Sequence, residues 1–330
     1  MYRYVYWFKM LNPPRGYLPV VLITGCASGI GLAIARLFYR NPRFRVCITA
    51  RVHHVEQLRR VFPENERFIV LPMDVTNDLD RKNVIDTLKE KWNKVDILVN
   101  NAGISYRSVV EHMTAQDEEL QMATNYFGPM ELIRLVLPMM REVGRGKIIN
   151  ISSVSGMLAM PTMASYSASK YALEGASEAL WYELRPFGID VSMIQPGFIN
   201  SNSFKKVRYT EAARASEAGQ EVYSQYYQSM GPFVARLMDF SWTTPSKIAD
   251  LVMDVVRTQK PPLWIPATFD AELFYYLRRF VPRRLLHPFL YACLPNVKEW
   301  GKNYSRRRPD PPRWKYWLLK LIRAFPFDGR

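Results

Sequence analysis

The chain has 330 residues, of which 48% are hydrophobic and 23% charged, as in an ordinary globular protein with one large core. Its three cysteines, Cys26, Cys47 and Cys293, form no C-x-x-C pair, and the chain has only four histidines. This composition indicates neither a disulfide scaffold nor a zinc site, so we expect no bound metal and a reducing, cytoplasmic environment.

The net charge of +15 is concentrated at the two ends of the chain. Residues 278–330 carry a net charge of +11 and residues 1–19 a further +3, which leaves +1 for residues 20–277. We therefore divide the chain into an aromatic, basic N-terminal segment (1–19), a nearly neutral domain (20–277) and a basic, aromatic C-terminal extension (278–330). No run of about 18 uncharged apolar residues occurs, so we expect no membrane-spanning helix.

From Val20 onward, short β-branched runs alternate with amphipathic stretches of helical length. This alternation predicts an α/β fold, a Rossmann-like, doubly wound parallel sheet forming a single domain. Residues 200–245 are rich in aromatic residues and weakly periodic, which predicts a mobile helical flap. The predicted helices are Ile30–Arg40, Gln116–Met140 and Tyr166–Phe187. The predicted strands are Val20–Thr24, Arg45–Thr49, Arg67–Leu71, Asp96–Asn100, Lys147–Ser152, Asp190–Gln195 and Leu263–Pro266.

A glycine-rich turn, Thr24–Gly31, joins the first predicted strand to the first helix. Glycine allows the backbone at such a turn to approach a pyrophosphate at the helix N-terminus. We expect a dinucleotide there, although glycines can also serve only to form a tight turn.

The end of the second strand should select the cofactor. It reads Thr49-Ala50-Arg51, without a carboxylate for a ribose 2′-hydroxyl and with an arginine suited to a 2′-phosphate. We therefore favour NADP(H) over NAD(H). The alternative is that Arg51 only caps a surface turn. Asp74, after the third strand, is expected to contact the adenine amino group.

Tyr166 and Lys170 lie at positions i and i+4, on one face of a predicted helix. A fixed positive charge favours the phenolate of a tyrosine, which ordinarily titrates near pH ~10, and so suits it to general acid–base catalysis. Ser152, Ser153 and Ser155 end the preceding strand, where α/β sheets bind ligands. One of these hydroxyls could bind a substrate oxygen, although serines at strand ends also cap helices.

The chain resembles a classical short-chain dehydrogenase/reductase from about Val20 to Ala267, because these motifs occur in the family's order and spacing. Thr24–Gly31 matches the family's T-G-x-x-x-G-I-G turn, Asn100–Gly103 its N-N-A-G and Pro196–Ile199 its P-G motif beside the nicotinamide. The resemblance implies a catalytic tetrad of Asn125, Ser153, Tyr166 and Lys170. It implies cofactor contacts from Thr24, Gly25, Ser28, Gly29, Ile30, Gly31, Arg51, Asp74, Asn101, Ala102, Gly103, Tyr166, Lys170, Pro196, Gly197, Ile199 and Ser201.

Two positions depart from the family pattern. Ser28 stands where many NADP(H) members carry a basic residue, and Ser201 where threonine is usual. The chain resembles the retinol and 17β-hydroxysteroid dehydrogenase subgroup, which implies a steroid, retinoid or long-chain lipid alcohol or carbonyl as substrate. The aromatic and methionine-rich flap at 200–245 and the apolar residues after Ser153 suit an apolar substrate pocket, or equally packing in the core or in an oligomer interface. The alternative function is a non-catalytic nucleotide-binding scaffold or a lipid-binding interaction protein.

The basic C-terminal extension predicts contact with a membrane surface. Trp314–Phe325 plots as a helix with aromatic and apolar residues on one side and basic residues opposite, as in helices that lie in a bilayer interface. Two alternatives are docking on the protein body or a partner subunit, and non-specific binding of nucleic acid, for which no recognised motif is present. We expect a homo-oligomer and no specific nucleic acid partner.

Overall fold

Seven parallel strands form one sheet at the centre of the computed structural model, which describes residues 16–200, 207–219 and 221–301. The strand order is β3-β2-β1-β4-β5-β6-β7, which confirms the Rossmann-like fold. Each end of each strand lies within one residue of its predicted position. The strands are β1 (Val20–Ile23), β2 (Arg45–Ala50), β3 (Phe68–Pro72), β4 (Ile97–Asn100), β5 (Gly146–Ile151), β6 (Ile189–Gln195) and β7 (Trp264–Pro266).

Eleven α-helices connect and follow these strands in the described part of the chain. The predicted helix Gln116–Met140 is divided by a π-helical turn at Ala123–Phe127, and the predicted helix Tyr166–Phe187 ends in a 3-10 turn at Arg185–Phe187. The helices are α1 (Gly29–Tyr39), α2 (Val52–Val61), α3 (Asp78–Trp92), α4 (Ala115–Met122), α5 (Gly128–Val143), α6 (Ala164–Leu184), α7 (Glu211–Ala218), α8 (Ser224–Asp239), α9 (Pro245–Arg257), α10 (Phe269–Phe280) and α11 (Arg283–Cys293).

The sheet is buried on both faces, because alternate residues of each strand point to opposite sides. In β1, Val21 and Ile23 pack with residues of α1, α2 and α9, whereas Val20 and Leu22 pack with residues of α3, α5 and α6. The two apolar layers explain why the strands are continuous hydrophobic runs in the sequence. They also fix the carboxyl ends of β1, β4, β5 and β6 along one edge of the sheet.

The C-terminal part of the described chain is helical. The boundary drawn at 277/278 lies inside α10, and α11 follows after a short turn. The flap region 200–245 contains α7 and α8. No helix within residues 16–200, 207–219 and 221–301 is both long and apolar enough to cross a membrane. Predictions for 1–15, Ser201 and 302–330, including the helix at Trp314–Phe325, lie outside the described residues.

Candidate active site

A cavity of about 1370 Å³ opens at the carboxyl edge of the sheet. It exceeds the ~300–1,000 Å³ of a single drug-sized ligand site, so it has room for a dinucleotide and a substrate together. Most of the residues predicted for the site line this one cavity. They are Gly25, Ser28, Gly29, Ile30, Arg51, Asp74, Asn101, Ala102, Gly103, Ser153, Tyr166, Lys170, Pro196, Gly197 and Ile199.

The glycine-rich turn has the shape that a pyrophosphate requires. Gly25 has φ +72°, and a Cβ atom there would lie 2.6 Å from Ala102 Cα. The Ser28 side chain makes no capping hydrogen bond to the first turn of α1, whose Ser28, Gly29 and Ile30 line the cavity. The N-terminal end of α1 therefore presents backbone N–H groups and a positive dipole end to the cavity, which suits a bound phosphate.

Thr24 and Gly31 support this turn and do not line the cavity. Thr24 Oγ1 accepts hydrogen bonds from Asn101 N (3.0 Å) and Ala102 N (2.9 Å), and Asn101 Nδ2 donates to Thr24 O (2.9 Å). A Cβ atom at Gly31 would overlap the Gly25 carbonyl oxygen. Both residues thus hold the turn against the loop after β4, and the cofactor contacts that the resemblance implies for them stay a prediction.

Four basic side chains line the cavity. Arg51 and His54 line it after β2, and Arg36 and Arg40 line it from α1. The two α1 arginines were missed by the sequence analysis, although they lie seven and eleven residues after Gly29, on the same helix face as the turn. Asp74, which follows β3, also lines the cavity, and its Oδ1 accepts a hydrogen bond from Thr76 N at 2.9 Å.

Ser153, Tyr166 and Lys170 line the cavity together. Tyr166 and Lys170 project from the same face of α6, with Lys170 Nζ 5.9 Å from the centroid of the Tyr166 ring. Ser153 precedes a 3-10 turn and accepts a hydrogen bond from Ser155 N at 3.1 Å. Lys170 Nζ donates to the carbonyl oxygen of Ile151 at 2.9 Å, so the end of β5 positions the ammonium.

Burial controls the ionisation of the tyrosine and the lysine. It raises the pKa of Tyr166, and a hydrogen bond from Ser153 offsets only part of this rise. Burial also lowers the pKa of Lys170 to about 8, against the attraction of Glu174. The proximity of Lys170 in the sequence predicted a lowered pKa for Tyr166, whereas burial raises it in the cofactor-free protein. At neutral pH the phenol therefore carries its proton.

Asn125 lies in the π-helical turn between α4 and α5, behind the cavity wall. Its Oδ1 accepts from Ile104 N (2.9 Å), and its Nδ2 donates to Ile104 O (2.9 Å) and Ser169 Oγ (3.0 Å). A Cβ atom at Gly103 would lie 3.3 Å from Asn125 Oδ1 and 3.8 Å from Lys170 Nζ. Asn125 therefore fixes the loop that separates it from the lysine, and π-helical turns are frequent at such functional positions.

The structure adds Glu174, a buried carboxylate on α6, to the predicted residues. It lies one helical turn after Lys170, and its Oε1 accepts hydrogen bonds from Ser152 Oγ (2.5 Å) and Gln195 Nε2 (2.9 Å). Burial raises its pKa, while these two donors and Lys170 lower it. The signal that could have revealed it was the i, i+4 spacing from Lys170.

The Pro-Gly motif after β6 forms the remaining wall. Thr268 Oγ1 accepts from Gly197 N (2.9 Å), and Asp270 Oδ2 accepts from Phe198 N (3.0 Å), so the start of α10 holds this segment. Pro196, Gly197 and Ile199 line the cavity. The residues present thus place a glycine turn, basic side chains and the Ser-Tyr-Lys group in one cleft, which fits a nicotinamide dinucleotide.

Comparison with known proteins agrees with this geometry. Residues 19–212 match the family model described as short chain dehydrogenase. The chain is 33% identical over 246 residues to 3-ketodihydrosphingosine reductase of Bacteroides thetaiotaomicron, covering 74% of this chain and 85% of that protein. The structure of a short-chain dehydrogenase from Streptomyces avermitilis superposes with a TM-score of 0.70 at 31% identity, covering 84% of this chain and 97% of that chain.

A metagenomic short-chain oxidoreductase in complex with NADP superposes with a TM-score of 0.57 at 25% identity, covering 75% of this chain and 96% of that chain. The family match spans more than half of the chain, and it coincides with the part of the fold that carries the cavity. The chain therefore belongs to the short-chain dehydrogenase/reductase family and is an NAD(P)-dependent oxidoreductase.

Proposed function

We propose that this protein uses NADP(H) to interconvert an alcohol and a ketone or aldehyde on a lipophilic substrate, in the manner of the retinol and 17β-hydroxysteroid dehydrogenase subgroup. The observation that carries the proposal is that Ser153, Tyr166 and Lys170 line the same cavity as the glycine-rich turn. When bound there, the nicotinamide supplies or accepts the hydride. The chain's own residues supply the proton and hold the substrate oxygen.

In the reductive direction, the Tyr166 phenol donates its proton to the substrate oxygen. The raised pKa of Tyr166 keeps this proton on the phenol at neutral pH. The Ser153 hydroxyl donates a hydrogen bond to the same oxygen as negative charge develops on it. Lys170 binds the cofactor ribose and stabilises the phenolate left after proton transfer, and Asn125 holds the adjoining loop through Ile104.

The preference for NADP(H) rests on the charge at the end of β2. Arg51 and His54 line the cavity directly after β2, where the adenosine ribose would bind. A 2′-phosphate placed here would meet Arg51 and no carboxylate at the end of β2. Arginine matches phosphate geometry with two parallel hydrogen bonds.

The lipophilic substrate class is supported by the cavity wall and by one relative. Ile104, Leu120, Ile199, Val207 and Met238 line the cavity. The relative from Bacteroides thetaiotaomicron is named for reduction of 3-ketodihydrosphingosine. An apolar wall beside a proton-donating tyrosine suits a carbonyl on a hydrocarbon skeleton.

Turnover of NADPH with a panel of steroid, retinoid and long-chain carbonyls tests the reaction. Tyr166→Phe is expected to reduce the turnover rate at least about a hundredfold without loss of cofactor binding, because only the proton donor is lost. Tyr182→Phe is the matched control, since this tyrosine lies on the same helix and is 64% exposed. Cofactor binding without turnover on any panel member would favour the non-catalytic scaffold instead.

Cofactor titrations test the preference separately. Arg51→Ala is expected to weaken NADPH binding about tenfold or more and to leave NADH binding nearly unchanged, because only NADPH carries the 2′-phosphate. Arg60→Ala removes an exposed arginine of the neighbouring helix α2 and is the control. Equal losses for the two cofactors would contradict the role proposed for Arg51.

A further inference from the structure

Six large apolar side chains next to the active site are exposed to solvent. Four of them lie on α10 and two directly follow the end of α8, and we call this set the aromatic surface. Its members and their exposed fractions are Phe240 (80%), Trp242 (90%), Phe269 (65%), Leu273 (45%), Tyr276 (47%) and Phe280 (77%). Isolated exposed apolar residues are ordinary, but a cluster of this kind marks an interaction site.

The α10 members form a single stripe. They follow one another at intervals of four, three and four residues, which places them on one face of the helix. Another face is already packed, because Ala271, Phe274 and Tyr275 cluster with apolar residues of the segment after Ser153, namely Val154, Met157 and Leu158. The helix thus buries one apolar face on the catalytic domain and presents a second to the outside.

The aromatic surface is attached to the rim of the active site. Phe269 lies between Thr268 and Asp270, which bind the backbone of Gly197 and Phe198. Ser241, between Phe240 and Trp242, donates to the carbonyl oxygen of Phe198 at 2.5 Å. Three exposed aromatic residues are therefore held around the carboxyl end of β6, beside the cavity.

Positive charge accompanies the aromatic residues. Arg279, Arg283 and Arg284 are exposed on either side of Phe280, and Lys247 Nζ donates to Trp242 O at 2.7 Å. Residues 269–293 contain four arginines against Asp270 and Glu272, and Asp270 is bonded inward to Phe198. Residues 302–330 carry a further net charge of +7.

We propose that the aromatic surface docks on a bilayer containing anionic lipid and that the lipophilic substrate reaches the active site from that bilayer. Aromatic residues at the level of the lipid headgroups, flanked by arginine and lysine, are the combination that lies in a membrane interface. The route for the substrate rests on the proposed function, whereas docking itself does not.

The positive charge of this surface favours an anionic bilayer over two other binding partners, a second copy of the chain and the segment 302–330. A second copy pairing through the same face would bring Arg279, Arg283 and Arg284 against their own counterparts. The segment 302–330 folded onto this surface would add positive charge to positive charge. An anionic bilayer attracts both basic regions at once and accepts the aromatic side chains.

Vesicle sedimentation of the full chain tests the proposal, with vesicles of phosphatidylcholine alone or with about 30% phosphatidylserine. We expect binding to the anionic vesicles that weakens as salt is raised. The double variant Trp242→Ser/Phe280→Ser should reduce the partition coefficient about tenfold or more, since each aromatic contributes apolar burial. Tyr182→Ser/Phe187→Ser removes two exposed aromatic residues elsewhere and should bind as the parent does.

Four outcomes would overturn the proposal. One is that the parent fails to sediment with anionic vesicles, and another is that the double variant sediments as much as the parent does. A third is that the chain forms a dimer that the double variant abolishes, with neither protein binding vesicles. The fourth, preferential binding to duplex DNA over anionic vesicles, would assign the basic surface to nucleic acid. Turnover of a short, water-soluble carbonyl is measured for every variant, so that loss of the enzyme reaction is recognised separately from loss of docking.

Discussion

Replacing Lys170 by methionine is expected to stabilise the cofactor-free protein while abolishing turnover. Burial lowers the pKa of Lys170 from its ordinary 10.5 to about 8, although Glu174 attracts the ammonium. The side chain is only 5% exposed, so water screens the ammonium little. Folding therefore places a positive charge where it is poorly solvated, which lowers the free energy of unfolding. The proposed reaction nevertheless requires the ammonium.

The size of the effect follows from the two pKa values. A fall from 10.5 to about 8 corresponds to about 3 kcal/mol of unfolding free energy lost when the lysine is charged in both states. Between pH 8 and 10.5 the unfolded chain binds more protons than the folded one, so the contribution of Lys170 to stability rises with pH. The hydrogen bond to Ile151, lost in the variant, offsets about 1 kcal/mol of the gain. Lys170→Met should thus be more stable by about 2 kcal/mol at pH 7, with the advantage gone by pH 10.5.

Urea unfolding of the parent and Lys170→Met between pH 7 and 10.5 measures this difference. Lys147→Met is the matched control, because burial lowers the pKa of Lys147 to about 8 as well. Lys147 lies near the opposite end of β5, where its Nζ donates to Val255 O at 3.1 Å. The control should show the same pH dependence and retain turnover. A stability difference between parent and Lys170→Met that stays constant with pH would refute the reasoning.

Three further changes separate local from tertiary effects. Gly25→Ala should cost about 2–4 kcal/mol of unfolding free energy and abolish NADPH binding, measured by urea titration and cofactor fluorescence, because its φ is +72° and the Cβ atom meets Ala102. Gly144→Ala, at φ +68° with no neighbour within 4 Å, should cost only about 1–2 kcal/mol of unfolding free energy. Equal costs for the two glycine variants would contradict a role for the contact between residue 25 and Ala102. Glu174→Gln should lower the pKa of Lys170 further, because Glu174 attracts the ammonium, and should therefore move the basic limb of the kcat–pH profile to lower pH. Glu178→Gln, at an exposed position of α6, should leave the profile unchanged. Asn150→Ala should cost about 2–3 kcal/mol in thermal or urea unfolding, because Asn100 and Ser177 lose buried partners, and an unchanged midpoint would rule this out.

The sequence by itself determined the strands, the glycine-rich turn and the Tyr166–Lys170 pair. Strands buried on both faces are continuous apolar runs, and the turn residues that follow them are visible in the chain. The i, i+4 spacing of Tyr166 and Lys170 fixes their common face without reference to anything distant. Each of these features depends on residues that are close in sequence.

Only the tertiary structure decided how these residues are charged and supported. The pKa of Tyr166 reflects burial by many separate segments, so its rise could not be read from the nearby lysine alone. Asn125 reaches Ile104 and Ser169 across the fold, and Glu174 joins Ser152 and Gln195 from two different strand ends. The exposed stripe of α10 was likewise decided by packing, since its apolar faces look alike until one of them is buried. Local pattern specifies which elements form, whereas burial and charge depend on what the fold brings together.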